Sequence, residues 1–368
     1  MNCEKCWRKS VYFLIFHYLC DSKEQTASRN LSPRVGGLRC IDMILDVARH
    51  KFYEGVATLF VVATIVAVRV ALLPAIAVDT IAEGGAPLVA PLARFESAHP
   101  ILTALLAALF CVQSALRLAR ATVRYNIYGT SSMAAISLIA LLFAALTITS
   151  PCLSTMLVAL LVAEGIGRLF YCLGPNTRLH YLFTSMLALG ATPLVDSSML
   201  AVVILALVLM LTMRSNPREM IVTIVGITLP VLTYNYIIWC AGGSFSASFL
   251  DIWHDMLTPS AFSIDAYLKI PRLAILAVVL FVVLCSVLLY RSERLTLTRT
   301  ARNIWAVMQA ALLILTPVFI FLPSSSPASF ITVAMIASTM MPLFFLKMNN
   351  AISITAYLVI IALALWAL

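Results

Sequence analysis

The sequence predicts an all-α membrane protein, a bundle of about eleven spanning helices. Hydrophobic residues make up 62% of the 368 positions, charged residues only 11%, and the mean hydropathy is +1.00. Soluble domains are nearer half apolar and a quarter charged, so this chain has more apolar surface than a soluble fold can bury. The apolar runs are continuous, without the alternation of barrel strands. Since lipid offers backbone groups no partners, helices are the structure that remains.

Residues 1–42 differ in character from the rest, because they are rich in basic residues and their apolar run is too short to span. Cys3 and Cys6 have the spacing of a zinc knuckle, but no second pair follows at metal-ligand spacing. We therefore expect no resident metal or other cofactor. The first 42 residues are either disordered or an upstream extension of a protein that starts at Met43, and 43–368 form one transmembrane domain.

The predicted spans follow in order along the chain. They are Val56–Val78, Ile101–Ala119, Ser131–Thr149, Cys152–Cys172, Tyr181–Val195, Ser197–Met213, Met220–Cys240, Leu273–Tyr290, Ile304–Leu322, Phe330–Leu346 and Ala351–Leu368. The fifth run is short, so it and the sixth either span separately or form a hairpin that does not fully cross. The prediction is therefore nine to eleven spans.

The basic residues predict the orientation of these spans. If the chain before Val56 is cytoplasmic and the spans alternate, only Arg94, Lys269 and Arg272 of the loop cations fall outside, and most acidic residues also fall outside. This bias predicts a bacterial inner-membrane protein with a cytoplasmic N-terminus and an external C-terminus. The formal net charge of +9 is spread as topology determinants are, which argues against nucleic acid as a partner.

Two predicted external loops carry candidate functional groups. The first, 79–100, begins with Asp79 and Glu83, and the second contains Asp251-x-x-His254-Asp255. A carboxylate–histidine cluster can bind a divalent metal or act as a general base, and a solvated loop is the structural alternative. The cytoplasmic loops are short and have no nucleotide-binding motif, so chemistry carried by this chain would face outward.

Charged side chains near the spans have a structural and a functional interpretation. Arg69 either snorkels to the external headgroups or binds an outer-leaflet lipid phosphate. Glu164 and Arg168 are four residues apart and can pair on one helical face, as a neutralised pair or as part of a relay. Arg117, Arg120 and Arg124 form a basic stripe that anchors on anionic lipid headgroups or binds a phosphate-bearing substrate.

The outer end of the seventh span is aromatic and follows a proline. Pro230 is expected to bend this helix, and Tyr234, Asn235 and Trp239 come after it. Aromatic residues at this depth belong first to an interfacial belt, and they would also suit a lip that binds sugar.

Two family resemblances rest on the order of these segments. The run Ala115–Thr149 with Arg124-Tyr125-Asn126, the hairpin Tyr181–Met213 with its basic link, and the spans after Arg302-Asn303 resemble an uncharacterised family of multi-pass inner-membrane proteins of Gram-negative bacteria. That family has no assigned activity.

The hairpin, basic link and Pro230 helix also look like the membrane core of GT-C glycosyltransferases. This resemblance implies a polyprenyl-phosphate-linked sugar donor and a catalytic carboxylate in the first external loop, where Asp79 and Glu83 stand. Arg69, Tyr234, Asn235, Asp251, His254 and Asp255 would then contact substrate. The alternatives are a non-catalytic scaffold for other envelope proteins, or a transporter or flippase of a lipid or small solute.

Overall fold

A computed structural model describes residues 59, 63, 86–129, 132, 134–146, 152–173, 179–213, 216–257, 270–322 and 324–367. The helices are α1 (Val89–Ala98), α2 (Pro100–Arg124), α3 (Ala134–Leu146), α4 (Cys152–Cys172), α5 (Leu179–Gly190), α6 (Thr192–Val195), α7 (Leu200–Met213), α8 (Pro217–Cys240), α9 (Ala247–Leu257), α10 (Ile270–Glu293), α11 (Arg299–Phe321), α12 (Pro327–Met340), α13 (Pro342–Lys347) and α14 (Asn350–Ala367). A single 3-10 turn, Ser197–Met199, joins α6 to α7.

The prediction of a helical multi-pass membrane protein is confirmed for the described residues, which contain helices and no strand. Six helical segments are long and apolar enough to cross a bilayer: Pro100–Arg124, Leu153–Cys172, Pro217–Cys240, Arg272–Glu293, Arg299–Phe321 and Pro327–Lys347. Four shorter apolar helices accompany them: Ala134–Phe143, Leu179–Val195, Ser197–Thr212 and Asn350–Ala364. Both arms of the predicted hairpin are among the shorter helices, although only the fifth run looked short in the sequence.

The centre of the bundle is α12 together with α13. In the segment Pro327–Lys347, 83% of the most apolar 18-residue stretch is buried within the bundle. The buried share of the corresponding stretch of Pro217–Cys240 is 22%. Helices α3, α4, α10 and α11 pack around α12. Alanine, serine and threonine alternate with larger apolar residues along α12, and the hydroxyls of Thr332, Ser338 and Thr339 donate to carbonyls of the same helix. These internal hydrogen bonds allow polar residues to lie in an apolar core.

A row of helices, α2, α4, α5 and α8, packs beside this centre. The α5–α8 contact is close because both helices present glycine. A Cβ at Gly190 would overlap the backbone of Ile227, and a Cβ at Gly226 would lie 2.9 Å from the Met186 Cβ. Small residues at such contacts let helix backbones approach closely. In a bilayer the lipid tails are as apolar as the helices, so helix association depends on this close packing rather than on the hydrophobic effect.

Contacts between distant segments sort the helix ends into two groups. At one end, which we call the serine end, residues 86–88 and 194–198 meet α9 and residues 324–329. At the opposite end, the arginine end, the segment after α2 contacts α11 and α12: the Trp305 indole donates to the Ile127 carbonyl over 3.0 Å, and the Tyr128 hydroxyl donates to the Thr339 carbonyl over 2.6 Å. Lys347 pairs with Glu293 there as well.

The outward surfaces of α8 and α10 are apolar. Exposed side chains on these helices include Ile221, Ile224, Leu229, Leu280, Phe281 and Leu284. Side chains of this kind are stable against lipid tails and unfavourable in water, which agrees with a membrane location.

Candidate functional site

The serine end is organised around the carboxylate of Asp196, which stands between α6 and the 3-10 turn. One carboxylate oxygen accepts hydrogen bonds from the Ser198 backbone N–H at 3.0 Å and from the Ser198 hydroxyl at 2.6 Å. The other accepts from the hydroxyl of Ser326, the N-cap of α12. The Ser329 hydroxyl oxygen lies within hydrogen-bond distance of the Ser198 hydroxyl oxygen, at 2.8 Å. We call Asp196, Ser198, Ser326 and Ser329 the Asp196 cluster.

The Asp196 cluster holds a carboxyl group that is costly to ionise. Burial raises the pKa of the Asp196 carboxyl, the hydrogen bonds from Ser198 and Ser326 lower it, and the nearby negative charge of Asp255 raises it again. The net shift is upward because desolvation is the largest of these effects. A carboxyl with a raised pKa can accept and return a proton closer to neutral pH than an exposed one.

Asp255 reaches this cluster from α9, where the sequence left a loop as the structural alternative. The segment is an amphipathic helix, with Ile252 buried against the bundle. Leu250, Trp253 and Leu257 are exposed and lie at helical spacing, which is the pattern of a helix resting on a membrane surface.

The polar residues predicted in this segment lie on another face of α9. Asp251 and His254 are exposed, whereas Asp255 is half-buried and its charge raises the pKa of the Asp196 carboxyl. The spacing of three and four residues brings the three side chains to one side of the helix.

Residues 86–88, within the first predicted loop, also lie at the serine end. The Leu88 N–H donates to the Leu194 carbonyl at 2.9 Å, two residues before Asp196. The Tyr234 hydroxyl makes a long hydrogen bond of 3.5 Å to the Pro87 carbonyl. This part of the first loop is therefore held between α6 and the outer turns of α8.

Asn235, next to Tyr234, is fully buried, and among the described residues neither its amide nitrogen nor its amide oxygen has a hydrogen-bond partner. A buried amide without partners costs about 1–3 kcal/mol, and a ligand that supplies a hydroxyl would recover it. Tyr236 and Trp239 follow as exposed aromatic residues 6.0 Å apart, as expected of the belt.

Three residues predicted for the site, Arg69, Asp79 and Glu83, lie outside the described residues. Tyr234, Asn235 and Asp255 are brought to the serine end, and Asp251 and His254 share the α9 face with Asp255. Within the described residues no three His, Cys, Asp or Glu side chains gather to hold a metal ion, so Asp251, His254 and Asp255 do not form a metal site there.

Local sequence patterns do not predict that Asp196 and its serines form a cluster. Asp196 and Ser326 are 130 residues apart, so no local spacing connects them. The serine-rich stretch 324–326 and an acidic residue between two apolar runs were the available signals.

Comparisons with protein families, with curated proteins and with solved structures find no match to this chain.

Proposed function

We propose that this protein is an inner-membrane transferase with eleven spans, GT-C-like in its core, which moves a sugar from a polyprenyl-phosphate donor at its serine end. One observation supports the proposal above others: residues 86–88 of the first predicted loop, Tyr234–Asn235 and Asp255 lie at the same end of the bundle. The first belongs to the loop in which the resemblance implies a catalytic carboxylate, and the other two contain residues predicted to contact substrate. The excess of cations at the arginine end favours a cytoplasmic side there and an external serine end.

The chemistry of such a transfer requires a base on the external side. A carboxylate, Asp79 or Glu83 by resemblance, takes the proton of the acceptor hydroxyl. The acceptor oxygen forms a bond to the anomeric carbon as the bond from that carbon to the phosphate oxygen breaks. Polyprenyl phosphate leaves with the bonding electron pair. Asp255 and Asp196 then orient the acceptor, and the unpartnered amide of Asn235 binds a sugar hydroxyl.

Transfer of labelled sugar in proteoliposomes tests the proposal. Wild-type protein should convert a polyprenyl-phosphate-linked sugar, Asp79→Ala should abolish transfer, and Asp255→Asn should lower it by about a hundredfold if it positions a reacting group. Glu293→Gln is the matched control, because it removes a carboxylate paired with Lys347 at the arginine end and should leave transfer unchanged.

The same preparation separates the alternatives. Movement of the intact lipid or of a solute across liposomes without bond cleavage would replace the proposal by a transporter. A co-purifying envelope complex that is insensitive to Asp79→Ala and Asp255→Asn, with no transfer, would replace it by a scaffold.

A further inference from the structure

The arginine end contains a second polar arrangement, built by α2 and α4. The Arg117 Nε lies 2.6 Å from a Glu164 carboxylate oxygen, and the Arg124 Nη1 donates to the Tyr171 hydroxyl over 2.7 Å. Both pairs are separated by 47 residues. The two helices therefore run in the same direction, and each α2 residue on this face meets the α4 residue 47 positions later.

Arg120 stands between these two arginines, and the residue 47 positions beyond it is Gly167. Glycine offers no side chain to pair with. Arg120 is exposed and, in the part of the chain that the structure describes, makes no hydrogen bond or ion pair. Gly167 is buried, and a Cβ added there would make one ordinary contact, with the Arg117 carbonyl oxygen at 4.0 Å, so no side chain fills the position beside Arg120. We call this position the Arg120 notch.

The groups around the Arg120 notch are cationic and held in place. Glu164 accepts from both Arg117 and Arg168, the latter at 3.2 Å, so one carboxylate neutralises only part of the guanidinium charge. The Arg124 guanidinium lies 4.5 Å from the centre of the Tyr171 ring. Fixed guanidinium groups suit a phosphate, because their planar N–H forks match its oxygens.

The exposed face of α2 shows what kind of molecule carries the phosphate. Leu105 and Leu109 are exposed on the same stripe that continues through Gln113 to Arg117 and Arg120. On this candidate span the exposed apolar side chains precede the arginines. A lipid fits this arrangement, because its acyl chain can lie against the apolar side chains while its headgroup lies at the arginines.

We propose that the Arg120 notch binds the phosphate of an anionic phospholipid whose acyl chain lies along Leu105 and Leu109. Arg120 supplies the free guanidinium, with Arg117, Arg124 and Arg168 around it. The inference is independent of the proposed transferase, because it concerns the opposite end of the bundle.

Native mass spectrometry of detergent-purified protein, titrated with phosphatidylglycerol and with phosphatidylcholine, tests this proposal. Wild type should bind phosphatidylglycerol in preference. Arg120→Gln should weaken that binding about fivefold, the effect of one cation near a lipid surface. Gly167→Glu should weaken it at least as much, since it adds a carboxylate beside Arg120 that can pair with the guanidinium.

Two control variants place equal changes elsewhere at the arginine end. Arg218→Gln removes an exposed arginine in the first turn of α8, whose other end contacts Pro87 at the serine end. Thr212→Glu adds a carboxylate on α7, which packs on α5, α8 and α11. Both should bind phosphatidylglycerol as wild type does.

Equal losses in the variants and the controls would overturn the proposal, because they would show a general effect of surface charge. So would equal affinity for the two lipids. Binding of sn-glycerol 3-phosphate without preference for phosphatidylglycerol would overturn the assignment to a lipid and identify a soluble phosphate ligand.

Discussion

Asp196 joins two helix beginnings with one side chain. Its carboxylate caps the turn that starts α7 and accepts a hydrogen bond from Ser326 at the start of α12. Helix N-termini favour a negative charge, whereas burial and the charge of Asp255 oppose it. The pKa of Asp196 is raised, so burial and Asp255 outweigh the helix N-termini. The residue is therefore most favourable to the fold when it carries a proton.

This gives Asp196 a signature in the pH dependence of stability. At pH values below the ordinary carboxyl pKa, Asp196 is protonated in both the folded and the unfolded state. It therefore adds no pH dependence to the free energy of unfolding in that range. As the pH rises from there through the raised pKa of the folded state, the unfolded chain ionises more readily, so the free energy of unfolding falls. Thermal unfolding in detergent, followed by tryptophan fluorescence over this range, measures the slope.

Asp196→Asn should remove that part of the slope, at a loss of about 1 kcal/mol for altered hydrogen bonds. Asp255→Asn should reduce the slope in part, because the charge of Asp255 contributes to the shift. Asp251→Asn, which removes an exposed carboxylate on the same helix, should retain it. An unchanged slope in Asp196→Asn would contradict the assignment.

At the scale of the helices, the same residue type has opposite roles on neighbouring elements. Gly226 is required by the approach of α8 to α5, whereas a Cβ at Gly167 of α4 would make only an ordinary contact, 4.0 Å from the Arg117 carbonyl oxygen. Gly226→Ala should destabilise the protein by about 1–3 kcal/mol through overpacking against Met186. Gly167→Ala should stabilise it slightly, since alanine favours helix and meets no close atom.

Unfolding of both variants in matched detergent, compared by their transition midpoints, checks this pair. A destabilised Gly167→Ala would show that the glycine is needed for packing, and would also remove the geometric basis of the Arg120 notch.

Long apolar runs predicted where helices occur, because hydropathy and length are local properties. The spacing of Glu164 and Arg168 likewise predicted an ion pair that is present at 3.2 Å. What local patterns do not carry is register between helices: the second partner of Glu164, Arg117, depends on how α2 and α4 align. The same reason hid the Asp196 cluster, and it left Gly167 and Gly226 indistinguishable before their neighbours were known.

The whole molecule has two chemically different ends, and their sidedness is open to measurement. The proposed topology puts the serine end outside. Cys240, a free and exposed thiol at the end of α8, should then react with a membrane-impermeant maleimide added to intact spheroplasts. A single-cysteine variant carrying Ser292→Cys, exposed at the arginine end, should react only after permeabilisation. The reverse pattern would invert the topology and place the carboxylates of the serine end in the cytoplasm.

The central position of α12 bears on how the bundle is assembled during synthesis. This most buried of the candidate spans begins only at residue 327 of 368, after the helices that surround it. A ribosome therefore delivers the periphery before the axis, and the earlier helices must wait in the membrane with their inward faces occupied by lipid or by an insertion factor. Entry of α12, which α13 and α14 still follow, closes the core and brings Ser326 to Asp196, so the hydrogen bond between these two residues reports that α12 is in place.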